Sequence, residues 1–309
     1  MSPRQPDRKI TMHAWLSILF ALVGVPLGSA GIAAPVGETV AAQAVPRAWE
    51  TLPPTPMLPV PMRQRMVAVD GGRVWVGEYG IRNRGVPVLL LHGGLANSDY
   101  FGRLIPALTR AGYRVIAIDS RGHGRSSVST RPYSYALMAR DVVTVLDRVG
   151  VRQVDLVGWS DGGVIGLQLG LDAPARVRRL FAFGTNARLD GLRPGFDSTP
   201  LFTRYIARST SDARRFGKSP ADHAAFLDQI SKMWAREPNF SAADLKSIAM
   251  PVTMALGQYD EAIARAHVEA VDSELADSTV VILPRTSHLA MIQLPDQFNA
   301  AVLSFLKWR

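Results

Sequence analysis

From about residue 66 to the end of the chain, short apolar runs alternate with longer stretches whose apolar residues fall at helical spacing. Residues 66–69 and 74–79 flank Asp70-Gly71-Gly72 with alternating polarity, the signature of a β-hairpin. Residues 88–91, 115–118, 153–157, 179–184, 251–257 and 279–284 are compact apolar runs that predict buried strands. Between them, residues 99–111, 135–149, 163–171 and 296–307 predict helices. Strands that alternate with helices imply an α/β class: a mostly parallel, twisted sheet covered by helices on both faces, with right-handed crossovers. The alternation breaks once. Residues 186–246 show helical stretches and no strand.

The chemistry lies at the ends of these strands. Gly158-Trp159-Ser160-Asp161-Gly162 fits G-x-S-x-G between a strand and a helix, a tight turn that lifts a serine hydroxyl above a parallel sheet. Asp260 follows the strand at 251–257, and His288 follows the strand at 279–284. Serine needs a base within hydrogen-bond reach, and the base needs a partner that orients it. His92-Gly93-Gly94-Leu95 follows the run at 88–91, and Asp119-Ser120-Arg121-Gly122-His123-Gly124-Arg125-Ser126 follows the run at 115–118. Gly162, Gly166 and Gly170 recur at four-residue spacing, which predicts one helix face packed closely on the sheet.

These segments together resemble the α/β-hydrolase superfamily from about Arg65 to the C-terminus. The G-W-S-D-G-G variant is most similar to its esterase and valacyclovir-hydrolase-like branches. The resemblance implies an α/β-hydrolase fold over residues 63–309, with an inserted helical cap at about 186–246. It also implies Ser160 as nucleophile, His288 as base and Asp260 as the residue that orients His288, with Glu261 as the alternative. The oxyanion hole is expected from the backbone N–H of Asp161 and a second one from Gly94, or from Leu95 beside it. Asp119, His92 and His123 are expected to brace loops, and His223 and His267 to sit in cap and surface helices. Asp161 has two readings: a helix-start acid favoured by the helix dipole, or a carboxylate that holds an ammonium group on the substrate.

The N-terminus differs in kind. Arg4, Arg8 and Lys9 precede an apolar run from Trp15 to Val25, and small residues follow from Gly28 to Ala34. That order predicts a signal peptide at residues 1–34, with Ala42-Gln43-Ala44 as a second cleavage candidate. The protein is thus expected to be exported, periplasmic or secreted, with no stable membrane span after processing. An uncleaved membrane anchor is the alternative, although Pro26 and the glycines weaken a spanning helix. Residues 35–62 are rich in Pro, Ala and Val and predict a leader that either lies extended on the domain or is disordered.

Composition narrows the function classes. The 309-residue chain is 47% hydrophobic and 20% charged, enough apolar material for a large core without disulfides, and it has no cysteine. Net charge is +9, or +7 without residues 1–34, which favours anionic surroundings or substrates. No basic run with interleaved aromatics suggests nucleic acid. No HExxH, GxxxxGK[ST] or G-x-G-x-x-G suggests a metal, phosphate-loop or dinucleotide site, so no cofactor is expected. The expected partner is a small-molecule ester. Amide, lactone or carbon–carbon bond cleavage on the same fold, and a non-catalytic binding protein, are the alternatives.

Overall fold

The computed structural model describes residues 47–307. The segment expected to be a signal peptide and the first part of the expected leader, residues 1–46, lie outside the described residues. Eight strands form one sheet in the order β1-β2-β4-β3-β5-β6-β7-β8. They are β1 Arg63–Val69, β2 Gly72–Tyr79, β3 Val88–Leu91, β4 Val115–Asp119, β5 Val154–Trp159, β6 Val177–Phe183, β7 Val252–Gly257 and β8 Ser278–Leu283. The hairpin β1–β2 and the pair β2–β4 are antiparallel, and every other pairing is parallel. β3, β4 and β5 are buried along their whole length, as continuous apolar runs in a doubly covered sheet should be.

The helices are α1 Leu104–Arg110, α2 Tyr135–Arg148, α3 Asp161–Asp172, α4 Pro200–Arg215, α5 Pro220–Trp234, α6 Ala242–Ser247, α7 Arg265–Glu274, α8 Ala290–Gln293 and α9 Pro295–Lys307. Alternation along β6 shows how the two faces are covered. On one face, a Cβ at Gly166 of α3 would lie 2.6 Å from Leu180. On the other, Phe298 of α9 meets Phe181 and Phe183 edge-on, with ring centroids 6.1 and 5.3 Å away. The glycine stripe of α3 does pack closely. A Cβ at Gly162 would stand 2.0 Å from the Leu91 carbonyl oxygen, and one at Gly170 would stand 2.8 Å from the Met250 methyl.

The helix expected over residues 99–111 is divided. A 3-10 turn occupies Ser98–Phe101, and α1 begins only at Leu104. Pro106 has no N–H and is tolerated only in the first turn of a helix, so a continuous helix from 99 would have placed it in the interior. Asp119 holds the separate turn by accepting hydrogen bonds from the Ser98 N–H (2.8 Å) and hydroxyl (2.5 Å).

Between β6 and β7 the chain leaves the sheet to form α4, α5 and α6. Thr199 and Ser219 cap α4 and α5 with their hydroxyls, and Pro200 and Pro220 occupy the first helical positions. Leu201, Tyr205, Phe226, Ile230 and Met233 are buried. Among the described residues, no helix is long and apolar enough to cross a membrane.

Candidate active site

β5 delivers Ser160 to the start of α3 through a turn that strains the backbone. Ser160 has φ 53° and ψ −119°, outside the comfortable regions for an L-residue, and such a conformation persists only where the surroundings enforce it. They do so here. The Ser160 N–H donates to the Phe183 carbonyl (2.8 Å), while its own carbonyl accepts from the N–H groups of Gly163 (2.8 Å) and Val164 (3.1 Å). A side chain at Gly158 would collide with the backbone of α3, since its Cβ would lie 2.4 Å from the Gly162 carbonyl oxygen. α3 begins at Asp161, two residues earlier than its apolar pattern suggests. Its first N–H groups therefore lack partners within the helix.

Three non-glycine residues among those described have positive φ: Leu95 (62°), Ser160 (53°) and Arg285 (57°). One lies in each of the loops that carry the expected oxyanion donors, the serine and the histidine. At Leu95 the strain belongs to a turn closed by the Ala96 N–H on the Gly93 carbonyl (3.2 Å). His92 fastens this turn. Its ring bonds the Gly93 carbonyl through Nδ1 (2.8 Å) and accepts the Ser120 N–H on Nε2 (3.0 Å). Burial keeps its pKa below the usual imidazole value, against the pull of Asp119. His92 thus holds backbone, as expected. His123 is similar, with Nδ1 on the Arg121 carbonyl (3.0 Å) and its pKa lowered by burial to about 3. Asp119 also accepts from Arg125, which leaves it a loop brace.

Asp260 and His288 meet across the ends of β7 and β8. Both Asp260 oxygens lie on His288 Nδ1, at 3.1 and 3.0 Å, and both side chains are buried. Asp260 Oδ1 also accepts the N–H groups of Ala262 (2.9 Å) and Ile263 (2.8 Å). Glu261 instead bonds the backbone N–H of His288 through Oε2 (3.2 Å), so the ring is oriented by Asp260. Burial would depress the His288 pKa. The charges of Asp260, Glu261 and Asp161 and the Asp260 hydrogen bond outweigh it and hold the imidazole above its usual value. The loop itself is fixed by Gln293, which accepts the Ser287 N–H (2.9 Å) and donates to its hydroxyl (2.9 Å).

Serine and histidine converge on one segment. Phe183 receives the Ser160 N–H, and the next residue, Gly184, lies directly against the His288 ring. The Trp159 and His288 rings are 5.8 Å apart. A Cβ at Gly93 would be 3.1 Å from Ser160 Cβ, and one at Gly94 would be 2.7 Å from Asp161 Oδ2. The structure thus brings Ser160, His288, Asp260, Gly94 and Asp161 to one end of the sheet, with Leu95 beside them.

Several contributors are not apparent in the sequence pattern. Asp161 accepts the Tyr135 hydroxyl on Oδ1 (2.8 Å) and the Trp234 indole N–H on Oδ2 (3.0 Å). Burial raises its pKa to about 6, although both hydrogen bonds and His288 work in the opposite direction. Tyr205 of α4 donates to the Gly94 carbonyl, and the Phe202 ring is 6.4 Å from that of His288. His267 lies in α7, as expected of a helix residue, but it is buried there and accepts the Ala187 N–H (3.0 Å).

A sheet of this order, with a strained serine elbow after β5, an acid after β7 and a histidine after β8, defines the α/β-hydrolase class. The chain belongs to that family: residues 86–243 match the model of the alpha/beta hydrolase fold. It is 34% identical over 242 residues to a putative carbamate hydrolase, RutD, of Variovorax paradoxus, a match covering 71% of this chain and 91% of that protein. It is 24% identical over 262 residues to the mouse serine hydrolase BPHL, covering 78% of this chain and 85% of that one. Among solved structures, Est816, described as an N-acyl homoserine lactone degrading enzyme, superposes with a TM-score of 0.61 at 26% identity, over 78% of this chain and 100% of that one. The protein is a hydrolase of the α/β fold.

Proposed function

We propose that the protein is an exported serine hydrolase that cleaves a carboxylic ester through an acyl-enzyme. The observation that carries this reading is the pairing of His288 with Asp260 beside a strained serine. Nδ1 is committed to a buried carboxylate, which leaves Nε2 to exchange protons with Ser160. In this reading Ser160 Oγ attacks the ester carbonyl while His288 takes its proton. The oxyanion is held by the N–H of Asp161 and by that of Gly94 or Leu95. His288 then protonates the departing alkoxide, the alcohol leaves, and water activated by the same imidazole releases the acid. The raised pKa of His288 makes it a stronger base for the first step. α4 and α5 act as the cap that shapes the acyl or alcohol pocket.

Lactone or carbamate cleavage is the second reading, favoured by what the relatives at 26% and 34% identity are named for. All of these substrates would pass through the same acyl transfer. A panel of p-nitrophenyl esters of graded acyl length, N-acyl homoserine lactones and an N-alkyl carbamate separates them. Esters should give the highest kcat/KM, and Ser160→Ala should lower it by about a thousandfold or more. Near-normal ester turnover by Ser160→Ala would refute the assignment.

Export is proposed from the charged, apolar and small-residue order of residues 1–34. Expressed in a bacterium from Met1, the protein should be recovered outside the cytoplasm with a new N-terminus between residues 30 and 45. An intact Met1 on cytoplasmic protein would contradict this.

A further inference from the structure

The segment between Arg47 and the start of β1 has almost no secondary structure of its own, yet the domain takes up its backbone with unusual regularity. Four consecutive carbonyls accept hydrogen bonds from side chains far away in sequence. Glu50 O accepts from Arg204 Nη2 (3.0 Å), Thr51 O from Gln293 Nε2 (3.0 Å), Leu52 O from Arg208 Nη2 (3.0 Å) and Pro53 O from Arg208 Nη1 (2.7 Å). At one end the Trp49 ring stacks on Tyr259 with centroids 4.3 Å apart and planes at 17°. At the other the chain presses on the turn before α1, where a Cβ at Gly102 would lie 2.6 Å from the Met57 carbonyl oxygen. Pro53, Pro54 and Pro56 stiffen the segment and have no N–H to satisfy, so its carbonyls are the groups that need partners.

The four partner residues belong to three parts of the candidate site. Tyr259 precedes Asp260. Gln293 fixes Ser287, next to His288. Arg204 and Arg208 stand one turn apart on α4, the helix whose Tyr205 holds the Gly94 carbonyl and whose Phe202 approaches His288.

We propose that residues 47–57 form a strap clamping α4 to the loops that carry Asp260 and His288, and that Arg208, by holding the strap, sets how bulky a substrate reaches Ser160. Arg208 touches no reacting atom in this scheme. It is a positioning residue for specificity. One guanidinium gives two hydrogen bonds to adjacent carbonyls, a bidentate contact that a lysine could not reproduce. With the clamp released, α4 can ride outward and enlarge the space beside Phe202. Signal cleavage before residue 46 would leave the strap intact, whereas trimming beyond Trp49 would release it.

The size-selectivity part rests on the proposed esterase reading, while the clamp itself does not. The experiment therefore has two arms, run on the mature protein and on Arg208→Ala. Hydrogen exchange over residues 200–215 reads the clamp without substrate. It should quicken by about tenfold or more, since losing even one of the two charge-assisted hydrogen bonds shifts a local equilibrium by about that factor. Hydrolysis of p-nitrophenyl acetate and decanoate reads selectivity. The decanoate-to-acetate ratio of kcat/KM should rise by a similar factor, carried by a lower KM for decanoate rather than by a change in kcat between the two esters. Trp49→Ala, which breaks the strap's far anchor and leaves every cap contact in place, should shift both readouts the same way even if Arg208→Ala folds poorly. Unchanged exchange in α4 would overturn the clamp, and looser exchange with an unaltered ester ratio would overturn its role in specificity. If the wild type cleaves no ester, the esterase reading fails, and exchange alone still decides the clamp.

Discussion

Gly184 lies so close to His288 that a Cβ there would stand 2.8 Å from the imidazole Nδ1 and 3.2 Å from Asp260 Oδ2. Gly184 also has φ 58°, directly after the strand whose last residue, Phe183, accepts the Ser160 N–H. A substitution at Gly184 therefore falls on the His288–Asp260 pair, the proposed base and its orienting acid, with no contact to substrate required. Gly184→Ala should lower kcat by about 10- to 100-fold by displacing the imidazole, the scale expected for a shift of about 1 Å. The backbone strain should cost about 1–2 kcal/mol, a fall in Tm of a few degrees. Steady-state kinetics and calorimetry on the variant check both. A wild-type kcat would mean that the ring has room the structure does not show.

Asp161 combines a raised pKa, about 6, with two neutral hydrogen-bond donors. A carboxyl whose folded pKa lies above its unfolded value near 3.8 favours folding fully only below that unfolded value, and the contribution is lost as pH rises through 6. Asp161→Asn should therefore stabilise the protein at pH 7, by up to about 3 kcal/mol, and the gain should vanish below pH 4. Urea midpoints measured across that range test the sign. The same variant separates the two readings of Asp161. If the carboxylate holds an ammonium group, wild type should prefer an α-amino ester to its des-amino analogue, and Asp161→Asn should abolish that preference. Equal turnover of the two esters by wild type leaves Asp161 the residue that joins α3 to Tyr135 and Trp234.

Much of this architecture was readable because its signals are local. Buried parallel strands are continuous apolar runs, and the serine, acid and histidine each follow one of them directly. The serine turn also announces itself, since only glycine fits where Gly158 and Gly162 approach backbone. What escaped is carried by contacts between distant segments. The Pro-rich composition fits a leader lying on the domain, but nothing near Pro53 or Thr51 predicts that their carbonyls find Arg208 and Gln293. Tyr205 and Trp234 count as apolar cap surface by pattern, and only the fold shows their polar ends on Gly94 and Asp161. The division of the helix at residues 98–110 departs from the apolar spacing but has a local cause, because Pro106 forbids a continuous helix from residue 99.

Glu261 bonds the His288 backbone rather than the ring, and its charge is one of those that raise the imidazole pKa. Its own pKa is raised by burial and by Asp260. As the proposed base, His288 would work only when neutral, so the acid limb of the kcat/KM profile should lie above the ordinary imidazole range. Glu261→Gln should move that limb to lower pH and leave the plateau rate at high pH nearly unchanged. Asp260→Asn, by contrast, should depress the plateau itself, by about 10⁴-fold in the best-studied case of such a change. An acid limb that stays in place in Glu261→Gln would show that Glu261 does not tune His288.

The most direct test of the central claim is peptide mapping by mass spectrometry after reaction with a fluorophosphonate, which phosphonylates a serine only where a base and an oxyanion hole activate it. A single adduct on the peptide containing Ser160 is predicted, forming in step with the loss of ester hydrolysis and absent from both Ser160→Ala and His288→Ala. An adduct on a different residue, or full ester hydrolysis by protein phosphonylated at Ser160, would contradict it.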